Sequence, residues 1–159
     1  MAEAVVTRKS PSAKPGQAFD FRAVYSAMPA DRIAFIKSGV SARKAKLLFN
    51  RFQLDQKVML DALGLKTATV NRKAVNDETL AIDEGERVIG LVKLVGQVQA
   101  MVEEAGDPEG FDAAEWLSDW LRRPLPAFGG VKPIAYLDTM EGQALISRTL
   151  GQMLAGVYA

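Results

Sequence analysis

The stretch DEGERVIGLVKLVGQVQAMVEEA, residues 83–105, decides the fold. Val88, Leu91, Val92, Val95, Val98 and Val102 recur at the spacing that places side chains on one face of an α-helix. Ile89 and Leu94 widen that stripe, so the helix is expected to be covered on more than one side. Asp83-x-x-Glu86 has the form of a capping box, which predicts a helix from Glu84 to about Ala105. Its broad apolar surface predicts a dimer seam as well as a core contact.

On either side the pattern stays helical, with no convincing period-two strand, so the chain reads as all-α. Upstream, a short helix from Ala30 to Lys37 ends at Gly39. Ser41 is placed to cap a second, with Leu47, Leu48 and Phe52 inward. Asp55 caps a third, Gln56 to Leu63, carrying Val58, Met59 and Leu63 and stopped at Gly64. Thr67 caps a fourth, from about Ala68 to Val75. Downstream, Gly106-Asp107-Pro108 breaks the chain, and Asp112-x-x-Glu115 forms a second capping box, with Phe111 placed to staple onto Trp116. That helix ends before Pro124. Pro126 to Gly130 reads as a non-helical loop, and Pro133 starts a short helix to Leu137. Thr139 caps the last helix, Met140 to Leu154, with Ile146, Leu150, Met153 and Leu154 inward.

Composition excludes several function classes. There is no cysteine and no histidine in the 159 residues, which removes thiol chemistry, disulfides, the commonest general base and the commonest metal ligand. No phosphate-binding glycine loop, metal-ligand cluster or nucleophile beside a base is present, so no catalytic residue, metal or cofactor is expected. No apolar run reaches the roughly 18 residues of a membrane span, and Met1 to Lys14 has no stretch suited to a signal peptide, so a cytoplasmic protein is expected. The net charge of +1 hides a division: residues 1–80 hold 14 Lys and Arg against 7 Asp and Glu, and residues 81–159 hold 6 against 12. A basic half joined to an acidic half points to two tasks, one facing a polyanion. The halves are expected to separate, so that a fragment starting near Leu80 folds alone.

Asp55 to Lys73 has the arrangement helix, glycine turn, helix, which is that of a helix-turn-helix. In that arrangement the second helix enters the major groove. It offers Lys66, Thr67, Thr69, Asn71, Arg72 and Lys73. Asn pairs with adenine and Arg with guanine through two hydrogen bonds, while Lys66 and Lys73 suit phosphates, as do Arg43, Lys44 and Lys46. Residues 41–73 carry 8 basic against 2 acidic residues, a footprint suited to a phosphate backbone.

The C-terminal part is punctuated by Trp120-Leu121-Arg122-Arg123-Pro124, Phe128-Gly129-Gly130, Pro133, Gly142 and the closing Gly156-Val157-Tyr158-Ala159. Prolines stiffen this loop and the glycines admit positive φ or close approach of another backbone. Beside Phe128 and the two tryptophans, it reads as a protein-contact surface, with Trp116 itself better suited to the core.

These residues resemble the C-terminal toxin-binding domain of the Xre/MbcA/ParS antitoxins. The family pattern has Leu where this chain has Phe128 and is otherwise kept. Leu63 to Arg72, with Leu80 and Glu84-x-Glu86-Arg87, resembles the Xre-like helix-turn-helix of the same antitoxins, so the resemblance covers about residues 55–159. It implies a cognate RES-domain toxin that consumes NAD⁺ or transfers its ADP-ribose, and an antitoxin that blocks it by covering its active site. The implied toxin contacts are Leu121, Pro124, Phe128, Gly129, Gly130, Pro133, Gly156, Val157 and Tyr158. It also implies a protein that represses its own operon by binding operator DNA at its own promoter, as a homodimer, without membrane association.

The expected organisation is a flexible basic arm over 1–24, a helix-turn-helix region over 25–80, a connecting and dimerising helix over 81–105, and a toxin-binding domain over 106–159. The residues leave a second reading open: a dimeric helix-turn-helix repressor whose C-terminal half senses a small ligand or only dimerises.

Overall fold

The computed structural model describes residues 19–106, 108–154 and 156. The expected arm up to residue 18, Asp107, Val157, Tyr158 and the side chain of Leu154 lie outside the described residues. The fold is helical: α1 Phe21–Ser26, α2 Pro29–Ser38, α3 Ala42–Phe49, α4 Gln56–Ala62, α5 Thr67–Val75, α6 Ile82–Glu104, α7 Ala113–Leu121 and α8 Met140–Leu154. Two 3₁₀ turns, Pro126–Phe128 and Pro133–Tyr136, sit between α7 and α8. No strand forms among the described residues; a single antiparallel bridge joins Ser41 to Thr79.

The 23-residue α6 is the central element. Val88, Ile89, Leu91, Val92, Leu94, Val95 and Val98 are all buried, so the helix is covered on several sides as its sequence predicts. It starts earlier than expected, because Glu84 Oε1 accepts from the amide of Ala81 at 3.3 Å, which sets the boundary at Ile82 and leaves Asp83 inside the first turn. The cover comes from α1, α2, α7 and α8 of the same chain. The apolar breadth of α6 is thus spent on core contacts within the chain.

The most extensive of these contacts is with α1, which the sequence pattern does not reveal. Phe19 and Phe21, within the stretch read as arm, belong to the core. Asp20 caps α1 by accepting from the Ala23 amide at 3.0 Å. Arg32 closes the other end, donating through Nη1 to the carbonyls of Val24 and Tyr25 at 3.2 Å each. Six residues span under two turns, too few for a periodic signal. The close approach depends on Gly96, where a Cβ would stand 2.0 Å from the Phe21 carbonyl oxygen.

Two glutamines fix α8 against α6. Gln97 Nε2 donates to the Ser147 carbonyl at 2.9 Å, and Ser147 Oγ donates to Gln97 Oε1 at 2.7 Å. Buried Gln143 donates to the carbonyls of Arg87 and Leu137, at 3.0 Å each. Thr139 caps α8 by accepting from Gly142 N, and Ile146 and Leu150 point inward as expected.

Several expected faces shift. Leu47 is 52% and Val58 45% exposed, while Ala45, Phe49 and Leu60 take the inner positions. Small alanines carry the inner face of α3, and a pattern read from large residues misses them. Thr67 is the first residue of α5 rather than its cap, which is Lys66 and makes no side-chain cap bond. The buried residues of both halves form one continuous cluster. A fragment starting near Leu80 would strip α1 and α2 from α6, so it is not expected to fold alone.

Gly96→Ala should lower stability by about 1–3 kcal/mol, because the methyl cannot be housed against Phe21. Gly151→Ala, where the nearest atom to a Cβ is 3.8 Å away, should raise it by about 0.5–1 kcal/mol through helix propensity. Urea denaturation of both variants reads the opposite signs.

Candidate nucleic-acid and partner-binding surfaces

Helices α3, α4 and α5 pack together over Phe49, Met59, Leu60, Leu63, Leu65 and Val70. The turn between α4 and α5 is Leu63 to Lys66, with Gly64 at φ +69°. Leu63 and Leu65 are buried on either side of it, and the Leu65 amide donates to the Leu60 carbonyl at 2.8 Å. Val40 and Leu80 close the unit: the Leu80 amide donates to Val40 O at 2.8 Å, and the Ala42 amide to Glu78 O at 3.1 Å.

On α5, Val70 and Ala74 face inward, and Asn71 and Arg72 point outward. Lys66 is exposed at the N-terminus, and Thr67, Thr69 and Lys73 are half-buried at the margins. On α3, Lys44 is exposed and Lys46 half-buried. Two of the expected DNA-facing cations have partners inside the chain. Arg43 donates through Nη2 to the Ala74 carbonyl at 3.3 Å and lies 3.7 Å from Asp77, so it secures the C-terminus of α5. Arg72 lies 3.8 Å from Glu78, at a distance and exposure that leave it free to exchange partners.

Arg87, which the sequence marks only as part of the helix-turn-helix resemblance, positions this unit. It is mostly buried, donates through Nε to Leu63 O at 2.7 Å and lies 3.5 Å from Asp83. A guanidinium on the last carbonyl of a helix interacts favourably with the helix dipole, so Arg87 ties the end of α4 to α6. Arg51 and Gln53, after α3, reach the start of α7: Arg51 Nη2 is 3.3 Å from Asp112 Oδ2, and Gln53 Nε2 donates to Glu115 Oε1 at 3.0 Å. Glu115 therefore does not complete the expected capping box, although Asp112 accepts from the Glu115 amide at 3.1 Å. Such long-range pairs carry no periodic signature and are invisible to a local pattern.

The second surface is the loop after α7. Phe128 is buried with its ring edge-on to Tyr136 at 5.2 Å, and Leu121 and Pro133 are buried as well. These three support the loop from beneath. Trp116 packs half-buried against the core, stacked on Trp120 at 6.3 Å and meeting Phe111 at 6.5 Å as expected of the staple. Pro126 to Phe128, read as non-helical, forms a 3₁₀ turn. The amides of Phe128, Gly129, Gly130 and Val131 all donate to carbonyls within residues 125–128, so the loop is closed on itself. Gly129 and Gly130 form its apex at φ +63° and +84°, a conformation that side chains disfavour. A Cβ at either would meet nothing within 4 Å. Pro124, Arg123 and Lys132 are exposed beside it, as is Gly156 at the end of α8.

Among the described residues no cluster of acidic side chains is arranged to hold a metal, and no helix is long and apolar enough to cross a membrane. The described residues thus form a three-helix unit with a basic outward helix, joined to a helical half that presents a loop closed by its own hydrogen bonds. Residues 31–93 match the model of the antitoxin Xre-like helix-turn-helix domain, and residues 99–156 match that of the antitoxin Xre/MbcA/ParS C-terminal toxin-binding domain. A protein of Sphingobium sp. (strain YBL2) described as "Prs ADP-ribosylating antitoxin" is 54% identical over 159 residues, covering all of both chains. The chain belongs to the Xre/MbcA/ParS antitoxins: it is a non-enzymatic antitoxin of a toxin–antitoxin system and carries a helix-turn-helix domain.

Arg87→Met should lower stability by about 1.5–3 kcal/mol, the range for hydrogen bonds made by a charged group. Arg87→Lys should recover only part of it, because an ammonium lacks the planar fork. Urea titration of the two variants beside the parent checks the ordering.

Proposed function

We propose that this antitoxin neutralises a RES-domain toxin by laying the Pro124–Gly130 loop over its NAD⁺-consuming active site, and that it represses its own operon, as a homodimer, through α5. The observation that carries the first part is the Gly129–Gly130 apex. It is exposed, closed by its own hydrogen bonds and propped by buried Phe128, so it loses little freedom on binding. Pro124, Gly129, Gly130 and Gly156 are the proposed contacts that stand exposed. Leu121, Phe128 and Pro133 act by holding the loop's shape. Val157 and Tyr158 are proposed to reach the toxin from the end of the chain. The Sphingobium relative is described in terms of Prs ADP-ribosylation, which supports a toxin that handles the ADP-ribose part of NAD⁺.

For DNA, the proposed readers are Asn71 and Arg72, with Thr67 and Thr69 beside them. Lys44, Lys46, Lys66 and Lys73 serve the phosphates, and Arg43 does so only after leaving Ala74 and Asp77. Arg72→Ala is expected to weaken operator binding by about 1–3 kcal/mol and relax one base position. Lys44→Ala should weaken binding to all sequences alike and flatten the salt dependence.

The loop and α5 lie on different elements, so the two tasks should respond separately. Gly130→Val forces a branched side chain into positive φ at about 1–2 kcal/mol and fills the apex. It should abolish rescue of growth with co-expressed toxin while gel shifts on the operon's promoter stay unchanged. A folded Gly130→Val protein that still neutralises fully would remove the loop from the toxin surface. Unchanged DNA affinity in both Arg72→Ala and Lys44→Ala would remove α5 from the operator.

A further inference from the structure

Helix α5 ends in a Schellman motif. The Glu78 amide donates to the Lys73 carbonyl at 2.8 Å, and the Asp77 amide to the Ala74 carbonyl at 3.3 Å. The motif puts Asp77 in the left-handed region, at φ +55°. Among the described residues it is the one non-glycine residue with positive φ. Glycine is the usual occupant of this position, and an apolar residue commonly follows to pack on the last turn. Here an acid holds each place. Both acids also lie at the negative end of the helix dipole, where a carboxylate is disfavoured. Neither choice favours α5 as a helix in isolation.

What the two carboxylates do reach is a pair of cations expected to face DNA. Asp77 Oδ1 lies 3.7 Å from Arg43 Nη1, and Glu78 Oε2 lies 3.8 Å from Arg72 Nη1. The backbone that carries the acids is fixed against the start of α3. The Ala42 amide donates to the Glu78 carbonyl, the Leu80 amide donates to the Val40 carbonyl, and Ser41 bridges to Thr79. That keeps each carboxylate within reach of one guanidinium, while the side chains of both pairs stay open to solvent. A carboxylate on a guanidinium presents the same kind of negative oxygen as a DNA phosphate.

We propose that Asp77 and Glu78 are internal counter-ions that stand in for DNA phosphate on Arg43 and Arg72. They set the chain's affinity for DNA below what its cations alone would give. DNA must displace a carboxylate from each arginine it takes up. The exchange releases few salt ions, because the freed carboxylate gathers cations as the phosphate sheds them. Exposed ion pairs are weak, so the restraint is partial and reversible. This rests on the proposal that α5 faces DNA, and it adds the residues that limit that contact.

The test is a binding titration against the operon's own promoter and against a random-sequence duplex, at several salt concentrations. Circular dichroism establishes that each variant is folded. Glu78→Gln should tighten binding to both duplexes by about two- to fivefold. It should also steepen the slope of log affinity against log salt by about one. Asp77→Asn keeps a residue suited to positive φ and should act in the same direction. In an Arg72→Ala background Glu78→Gln should gain little, because the partner it would release is absent. A folded Glu78→Gln protein that binds no more tightly than the parent overturns the counter-ion role and leaves α5 on the operator. A gain of the same size with Arg72 removed also overturns it, because the acid then acts through the general field of charge and not through the arginine. A parent that binds neither duplex overturns the placement of α5 on DNA, and the counter-ion role with it.

Discussion

The structure depends on how closely α6 lets its neighbours approach. Three of its glycines each face a different one. At Gly85 a Cβ would stand 2.9 Å from Val40, at Gly90 1.7 Å from Gln143 Oε1, and at Gly96 2.0 Å from the Phe21 carbonyl oxygen. Each glycine costs the helix about 1 kcal/mol of intrinsic propensity relative to alanine. Each also admits an approach that a side chain would exclude: the Val40 side chain at Gly85, the Gln143 amide at Gly90 and the Phe21 backbone at Gly96. The helix therefore serves as an axle with the helix-turn-helix unit, α8 and α1 seated around it.

Apolar packing alone would leave these elements free to slide, since hydrophobic burial has no direction. The polar groups supply it. Gln97 and Ser147 exchange two hydrogen bonds, and Gln143 spans the Arg87 and Leu137 carbonyls, so α8 has one register against α6. Gln143 Oε1 is buried without a partner against Gly90, a cost accepted where the two donor bonds are made. Arg87 extends the same system to the end of α4, while Arg51 and Gln53 bind the start of α7. A chain that looks divisible by charge is thus one folding unit.

That unity bears on the two tasks proposed for the chain. The outward face of α5 and the Gly129–Gly130 apex belong to separate elements, each shaped by its own local bonds, and both are fixed to the same core. The proposed tasks can be altered independently at the surface. Damage to α6 would affect both, because neither surface has an independent foundation.

What the sequence by itself determined is what repeats or terminates locally. The α6 stripe, the caps at Ser41, Asp55, Asp112 and Thr139, the Gly64 turn and the punctuation around Gly129 are all legible, because spacing and backbone preference act over a few residues. The family resemblance rests on that same local punctuation. Only the tertiary structure decided which apolar residues are covered and what the polar ones hold. Phe128 reads as a surface anchor and is the plug under the loop, while Leu47 reads as core and lies exposed. Arg43 reads as a phosphate contact and binds Ala74 O. α1, too short for a period, becomes the main cover of α6, since its value lies in the carbonyl that Gly96 admits rather than in a pattern of its own. Burial and partner choice depend on residues distant in sequence, and no local window contains them.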